Sequence, residues 1–202
     1  LLLALAATSA SAQAQTDDAL RIYLVDVEGG NATLFVSPEG GSLLIDTGNG
    51  GANADRDVGR IMAAVEDAGL REIDHLITTH YHGDHYGGAQ QLQRQFGARV
   101  LLSAPDWDMM LANTGSQPKP TRDIEVTDGQ QLSVGDTQLR FTLTPGHTPG
   151  TISKSTSASE RAIISSPPRP KMKGSPPLSL STRLPCCARR TSSWLISSCG
   201  TA

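Results

Sequence analysis

The stretch Thr79-His80-Tyr81-His82-Gly83-Asp84-His85 sets three of the chain's five histidines and an aspartate side by side. Imidazole nitrogen and carboxylate oxygen are the donors that zinc and other borderline divalent ions take. His80 and His82 are two residues apart, so a slight twist into loop geometry aims both rings at one ion. Gly83, without a Cβ, permits the sharp turn that brings in Asp84 and His85. Four donors are too many for one tetrahedral catalytic ion that keeps a position open, and they fit two adjacent ions. His147, in "TPGHTPG" directly after a strand-like run, is placed to be a third ligand. Asp46, in "LLIDTG", is expected to hydrogen-bond a ligating imidazole and fix its tautomer. His75, inside "IDHLI", reads as a packed or exposed residue rather than a ligand. Asp26, in "VDVEGG", is either a carboxylate behind the site or a turn residue. Cys186, Cys187 and Cys199 have no zinc-finger spacing and receive no role.

These residues need a scaffold. "LRIYLVDV", "ATLFVS" and "SLLIDTG" are short β-branched runs separated by turn chemistry and predict an antiparallel meander. "RDVGRIMAAVEDAGL" has helical spacing, with Gly69 near its end. "IDHLITT" predicts a strand that ends directly at His80. A helix is expected from about Gly87 through "AQQLQRQF" to near Gly97, then a strand in "ARVLLSA" and a short helix in "PDWDMMLAN". "TRDIEV", "QQLSVG" and "TQLRFTLTP" read as further strands. The order predicts an α+β fold with helices on the outer face of a sheet.

Composition divides the chain after Ser153. Residues 1–150 carry 9 Lys and Arg against 19 Asp and Glu, whereas residues 151–202 carry 8 against the single Glu160. The second part also holds 13 serines and six of the twelve prolines. It shows neither helical nor strand periodicity and is expected to be a low-order tail. The acidic first part carries no nucleic-acid-binding signature. At the other end, "LLLALAATSASAQAQ" has the apolar run and small-residue cleavage sites of a secretory signal peptide lacking its start, residues 1–14. Nothing later approaches the ~20 apolar residues of a membrane span. An exported protein, periplasmic or extracellular, is the expectation.

Taken together, "HYHGDH", "IDTG" 34 residues before His80, and "PGHTPG" with His147 62 residues after His85 resemble the metallo-β-lactamase fold superfamily. The resemblance covers about residues 20–153. The opening "IYLVDVEGGNATLF" looks like the subgroup related to the hydrolase domain of DNA-uptake competence proteins. The resemblance implies an αββα sandwich with a metal site at one edge. His80, His82 and His147 would hold a first zinc ion, and Asp84 and His85 a second. It also implies a hydroxide activated between the ions as nucleophile, with Asp84 orienting it and moving its proton. The family pattern needs a further bridging Asp and a last His. Here no Asp follows Asp136 and no His follows His147. Residues 15–153 are therefore read as an incomplete domain holding the N-terminal half of the sandwich. The tail 154–202 is read as the product of a shifted reading frame or, alternatively, as a genuine tail on a degenerate relative. The implied activity is an exported metallo-hydrolase acting on a small-molecule or phosphoester-type substrate, with one zinc expected in this chain rather than two. Two alternatives stand beside it: a metal-binding fragment impaired in catalysis, and a mononuclear iron oxygenase acting on thiols.

Overall fold

β-Branched and aliphatic residues open the fold as an antiparallel meander. β1 (Leu20–Leu24) pairs with β2 (Thr33–Val36), and β2 pairs with β3 (Ser42–Ile45). The computed structural model describes residues 19–156 and 162–167. After β3 the chain changes to parallel crossover units. α1 (Ala54–Asp67) leads to β4 (His75–Ile77). The short α2 (Gly83–Tyr86) and α3 (Ala89–Phe96) lead to β5 (Arg99–Ser103). α4 (Ala104–Ala112) leads to β6 (Ile124–Val126). Strands β3 to β6 pair in parallel, so their C-terminal ends lie along one edge. β3 is buried along its whole length, which is why "SLLI" does not alternate. α1 turns Val58, Ile61, Ala64 and Val65 into the core at helical spacing.

The helix expected from about Gly87 to near Gly97 is α3, and a separate short helix outside that expectation, α2, precedes it. α2 begins earlier, at Gly83, and a turn at Gly87–Gly88 separates it from α3. Gly87 lies so close to the Asn49–Gly50 peptide that a Cβ there would overlap backbone atoms. There the end of α2 packs against the loop after β3, and Gly87 N–H donates to the Gly48 carbonyl at 3.1 Å.

A second, antiparallel sheet is made by β7 (Gln131–Val134), β8 (Thr137–Leu143) and β9 (Ile152–Thr156). β8 buries Thr137, Leu139 and Phe141 and exposes Gln138, Arg140 and Thr142, the alternation of a strand with one wet face. Leu139 and Phe141 join Leu34, Leu44 and Trp107 in one core shared with the large sheet. The architecture is thus α+β, with a seven-stranded mixed sheet, a three-stranded sheet and helices.

Two findings correct the boundary at Ser153. β9 runs on to Thr156, and β10 (Ala162–Ser165) lies parallel to β1, pairing Leu20 with Ala162 and Tyr23 with Ser165. β10 completes the order β10-β1-β2-β3-β4-β5-β6. "AIIS" is too short for periodicity to register, and only the free edge of β1 gives it a partner. The expected signal segment and the rest of the tail, with its three cysteines, lie outside the described residues. Among the described residues no helix is long and apolar enough to cross a membrane.

Candidate metal centre

Parallel strands deliver their C-terminal ends to one rim of a sheet, where the following loops build sites. Three neighbours do so here. β3 is followed at once by Asp46, β4 by the segment that runs through Thr79 to His82, and β5 by the first turn of α4 with Asp106. His147 reaches the same place from the other sheet, on the loop between β8 and β9. The sheets are joined there, since Ile152 N–H donates to the Thr79 carbonyl at 2.9 Å.

One donor nitrogen from each of His80, His82 and His147 falls within 4.8 Å of the others. His147 Nε2 is 3.0 Å from His82 Nδ1. The His80 ring meets both edge-on, at centroid distances of 4.8 and 4.7 Å. His80 is buried, His82 half-buried and His147 exposed, so the cluster is rooted in the core and open on one side. Thr79 Oγ1 lies 3.1 Å from His80 Nδ1, whereas His80 Nε2 is buried without a hydrogen-bond partner. Burial pushes the His80 pKa down to about 4, and the positive character of neighbouring histidines adds to the effect. Burial likewise lowers that of His82, with His147 contributing. Both rings are therefore neutral, with a free lone pair, at neutral pH.

Asp46 and His85 form the layer beneath. Asp46 is fully buried and sits in the left-handed region, φ 61°, where Asp and Asn are the tolerated side chains. Its Oδ1 accepts from Thr79 N–H at 2.7 Å. Its Oδ2 accepts from Thr79 Oγ1 at 2.9 Å and from Asn31 Nδ2 at 3.0 Å. His85 Nδ1 lies 2.9 Å from the same Oδ2. Burial alone would raise the Asp46 carboxyl, but the hydrogen bond and charge of His85 outweigh it, and the net shift is down. His85 mirrors this: burial lowers its pKa, Asp46 raises it, and the net shift is up. With Nδ1 turned to Asp46, the Nε2 of His85 faces outward, 3.6 Å from Asp84 Oδ2. Asp84 and His85 therefore stand as a two-donor pair beside the triad and are not a fourth and fifth arm of it. Lys154, on β9, lies near enough to act on both Asp46 and His85, and burial lowers its own pKa despite the opposing charge of Asp46.

The remaining sequence candidates lie elsewhere. His75 is at the opposite end of β4, half-buried, on a cavity of about 360 Å³ with Glu72, Asp74 and Phe96. Asp26 faces α1, its Oδ1 3.8 Å from Arg60 Nη1. Two residues that sequence reasoning did not single out belong to the site. Thr79 links Asp46 to the rings of His80 and His85. Asp106, fully buried, accepts hydrogen bonds from Tyr81, Thr148 and Gly150. The only local sign of Asp106 is an acid three residues after Ser103, where a strand gives way to a helix.

The donor set suits zinc. A tetrahedral ion with Zn–N bonds of about 2.0–2.1 Å holds its nitrogens about 3.3 Å apart, and the triad's separations, from 3.0 to at most 4.8 Å, bracket that value. His80 Nε2, buried and unpartnered, is the kind of atom that a bound cation satisfies.

Comparisons with known proteins agree with this geometry. The profile described as "Metallo-beta-lactamase superfamily" matches residues 25–157. A hydroxyacylglutathione hydrolase of Acidiphilium cryptum is 36% identical over 105 residues, which are 50% of this chain and 39% of that protein. Among solved structures, a metallo-β-lactamase from Cronobacter sakazakii superposes with a TM-score of 0.57 at 31% identity, covering 67% of this chain and 56% of that one. The native metallo-β-lactamase of Legionella gormanii gives 0.60 at 26% identity, covering 71% and 57%. The matches thus span between about two fifths and three fifths of the length of these proteins.

Proposed function

The chain belongs to the metallo-β-lactamase superfamily, and from that premise we propose that it is a metal-dependent hydrolase centred on His80, His82 and His147. The observation that carries the reading is His80 Nε2, a buried ring nitrogen with no hydrogen-bond partner, turned into a cluster whose other two members converge within 4.8 Å. A zinc ion held there would supply a Lewis acid and a water with its pKa lowered toward about 7. The chain's own residues do the rest. His80 anchors the site in the core, while His82 and His147 line the side open to substrate. Asp84, partly exposed beside His85 Nε2, is placed to take a proton at its carboxylate from an attacking water on that side. Asp46 keeps His85 oriented through Nδ1.

One ion, rather than two, is the loading proposed. Asp84 and His85 offer only two donors for a second position, fewer than the three protein ligands a catalytic zinc ordinarily takes. The names of the relatives, a hydroxyacylglutathione hydrolase and β-lactamases, have in common the cleavage of an acyl carbonyl compound, and that is the substrate class proposed. Export through residues 1–14 and a metallo-β-lactamase-like domain that begins near residue 15 and takes in β9 and β10 complete the reading.

The test is metal content and hydrolysis measured on the full chain and on His80→Ala. The expected result is about one equivalent of zinc and cleavage of a thioester or β-lactam probe, both lost in the variant. A wild-type chain that takes up no zinc overturns the reading. One that retains iron and oxidises a thiol without hydrolysing either probe favours the oxygenase alternative.

A further inference from the structure

The three histidines arrive on two loops from two different sheets, and something must keep those loops in register. Asp106 lies between them. Its Oδ2 accepts from Tyr81 N–H at 3.1 Å and from Thr148 Oγ1 at 2.6 Å, and its Oδ1 accepts from Gly150 N–H at 2.7 Å. Tyr81 is the residue between His80 and His82. Thr148 follows His147 directly, and Gly150 ends the same loop. One carboxylate thus holds both ligand-bearing loops, and Ser103 reinforces it by donating to the Gly150 carbonyl at 2.6 Å.

An acid in the first turn of a helix is ordinarily explained by the helix itself, as a partner for the free N–H groups and the positive end of the dipole. Asp106 spends its acceptors otherwise, since its three donors come from the loops, 25 to 44 residues away in sequence. A fully buried carboxylate is costly unless charge-assisted hydrogen bonds compensate it. Gly150 is cut to fit this contact, because a Cβ there would collide with Ser103 Oγ and the Asp106 carboxylate.

We propose that Asp106 is a positioning residue of the metal centre: it touches no ion, and it clamps the His80–His82 loop to the His147 loop so that the three ring nitrogens converge. The inference rests on the triad being a metal site, and the test separates the two. Zinc affinity of the full chain is measured by competition with a chromophoric chelator for wild type, Asp106→Ala, Asp106→Asn, Thr148→Val and Thr148→Ser. Thermal midpoints are recorded in parallel with the metal removed. Loss of a residue that orients ligands typically weakens metal binding by about 10–100-fold. That range is expected for Asp106→Ala, with a smaller loss for Asp106→Asn, which keeps one acceptor oxygen. Thr148→Val removes the hydroxyl's bonds to Asp106 Oδ2 and to Thr151 Oγ1 with little change of shape, and is expected to weaken binding several-fold. Thr148→Ser, which retains the hydroxyl, is expected to restore it. The visible spectrum of the cobalt form should change in Asp106→Ala and Thr148→Val and match wild type in Thr148→Ser. If Asp106→Ala does not fold, the Thr148 pair decides. No zinc binding by wild type removes the proposed function itself. Tight wild-type binding with Thr148→Val and Asp106→Asn both within twofold of it overturns the role given to Asp106.

Discussion

Replacing Asp46 probes the layer on which the histidines rest, and the structure sets the size of the effect. The carboxylate is fully buried and accepts from Thr79 N–H, Thr79 Oγ1 and Asn31 Nδ2, with His85 Nδ1 against the same oxygen as the last two. Thr79 is itself buried. Its N–H is left without an acceptor and its hydroxyl with only the longer contacts to the His80 and His85 rings, at a cost of about 1–3 kcal/mol for each donor. Alanine must also adopt φ 61°, a left-handed conformation that adds about 1–2 kcal/mol. Asp46→Ala should therefore lose about 3–8 kcal/mol, a large share of the ~5–15 kcal/mol that holds an ordinary domain together. Asp46→Gly should lose roughly 1 kcal/mol less, because glycine enters the left-handed region freely. Asp46→Asn should lose least, since Asn tolerates that backbone and keeps an oxygen for Thr79 N–H. Urea unfolding in the presence of a chelator measures all three without a contribution from metal. Equal losses for Ala and Gly would refute the backbone part of the reasoning. An Asn variant as unstable as the Ala variant would refute the hydrogen-bond part.

Burial holds the His75 pKa below its ordinary 6.5, outweighing the opposing charge of Asp74. The unfolded chain takes up that proton near 6.5 and the folded chain only at lower pH, so His75 contributes stability above pH 6.5 that is lost as the pH falls. His75→Gln should reduce the drop in thermal midpoint between pH 7.5 and 5.5, measured by calorimetry at about those two values. His80 acts in the same direction and His85 in the opposite one, so the dependence should shrink without vanishing. Gly87→Ala and Gly97→Ala separate two reasons for a glycine. At Gly87 a Cβ meets the Asn49–Gly50 backbone, and the variant should accumulate poorly as soluble protein. Gly97 has open space but φ 66°, so its variant should fold and lose only about 1 kcal/mol in denaturant titration.

What the sequence discloses here follows the range over which each feature is determined. The inward positions of α1 and the alternation of β8 depend on spacing within one element, and Val58, Ile61, Val65, Leu139 and Phe141 can be read directly. His80, His82, Asp84 and His85 are legible because one short run of sequence contains them, and Asp46 and His147 because each stands just past a recognisable strand. Asp106 is not legible. Its partners are distant in sequence and meet it only because β5 lies beside β4 and the small sheet folds against both. β10 escapes for a related reason, as its pairing depends on an edge offered by β1 well over a hundred residues earlier. The division of the donors into a triad and an Asp84–His85 pair is already the expectation from the sequence, but the way His85 turns is decided by Asp46 in space.

The joint between the two sheets at Thr79 and Ile152 has a consequence for how the protein responds to its surroundings. His82 and His147 are 65 residues apart and belong to different sheets, so an ion shared between them is a reversible cross-link closing a long loop. Such a link exists only in the folded chain, and it raises the melting point by mass action, about 2.7 kcal/mol when free metal stands at a hundred times its dissociation constant. Thermal endurance then becomes a reading of ambient metal supply. With metal scarce the small sheet keeps its hydrogen bonds and core contacts to the large one but lacks that cross-link, and the segment that carries His147 is expected to be the first to open to proteases.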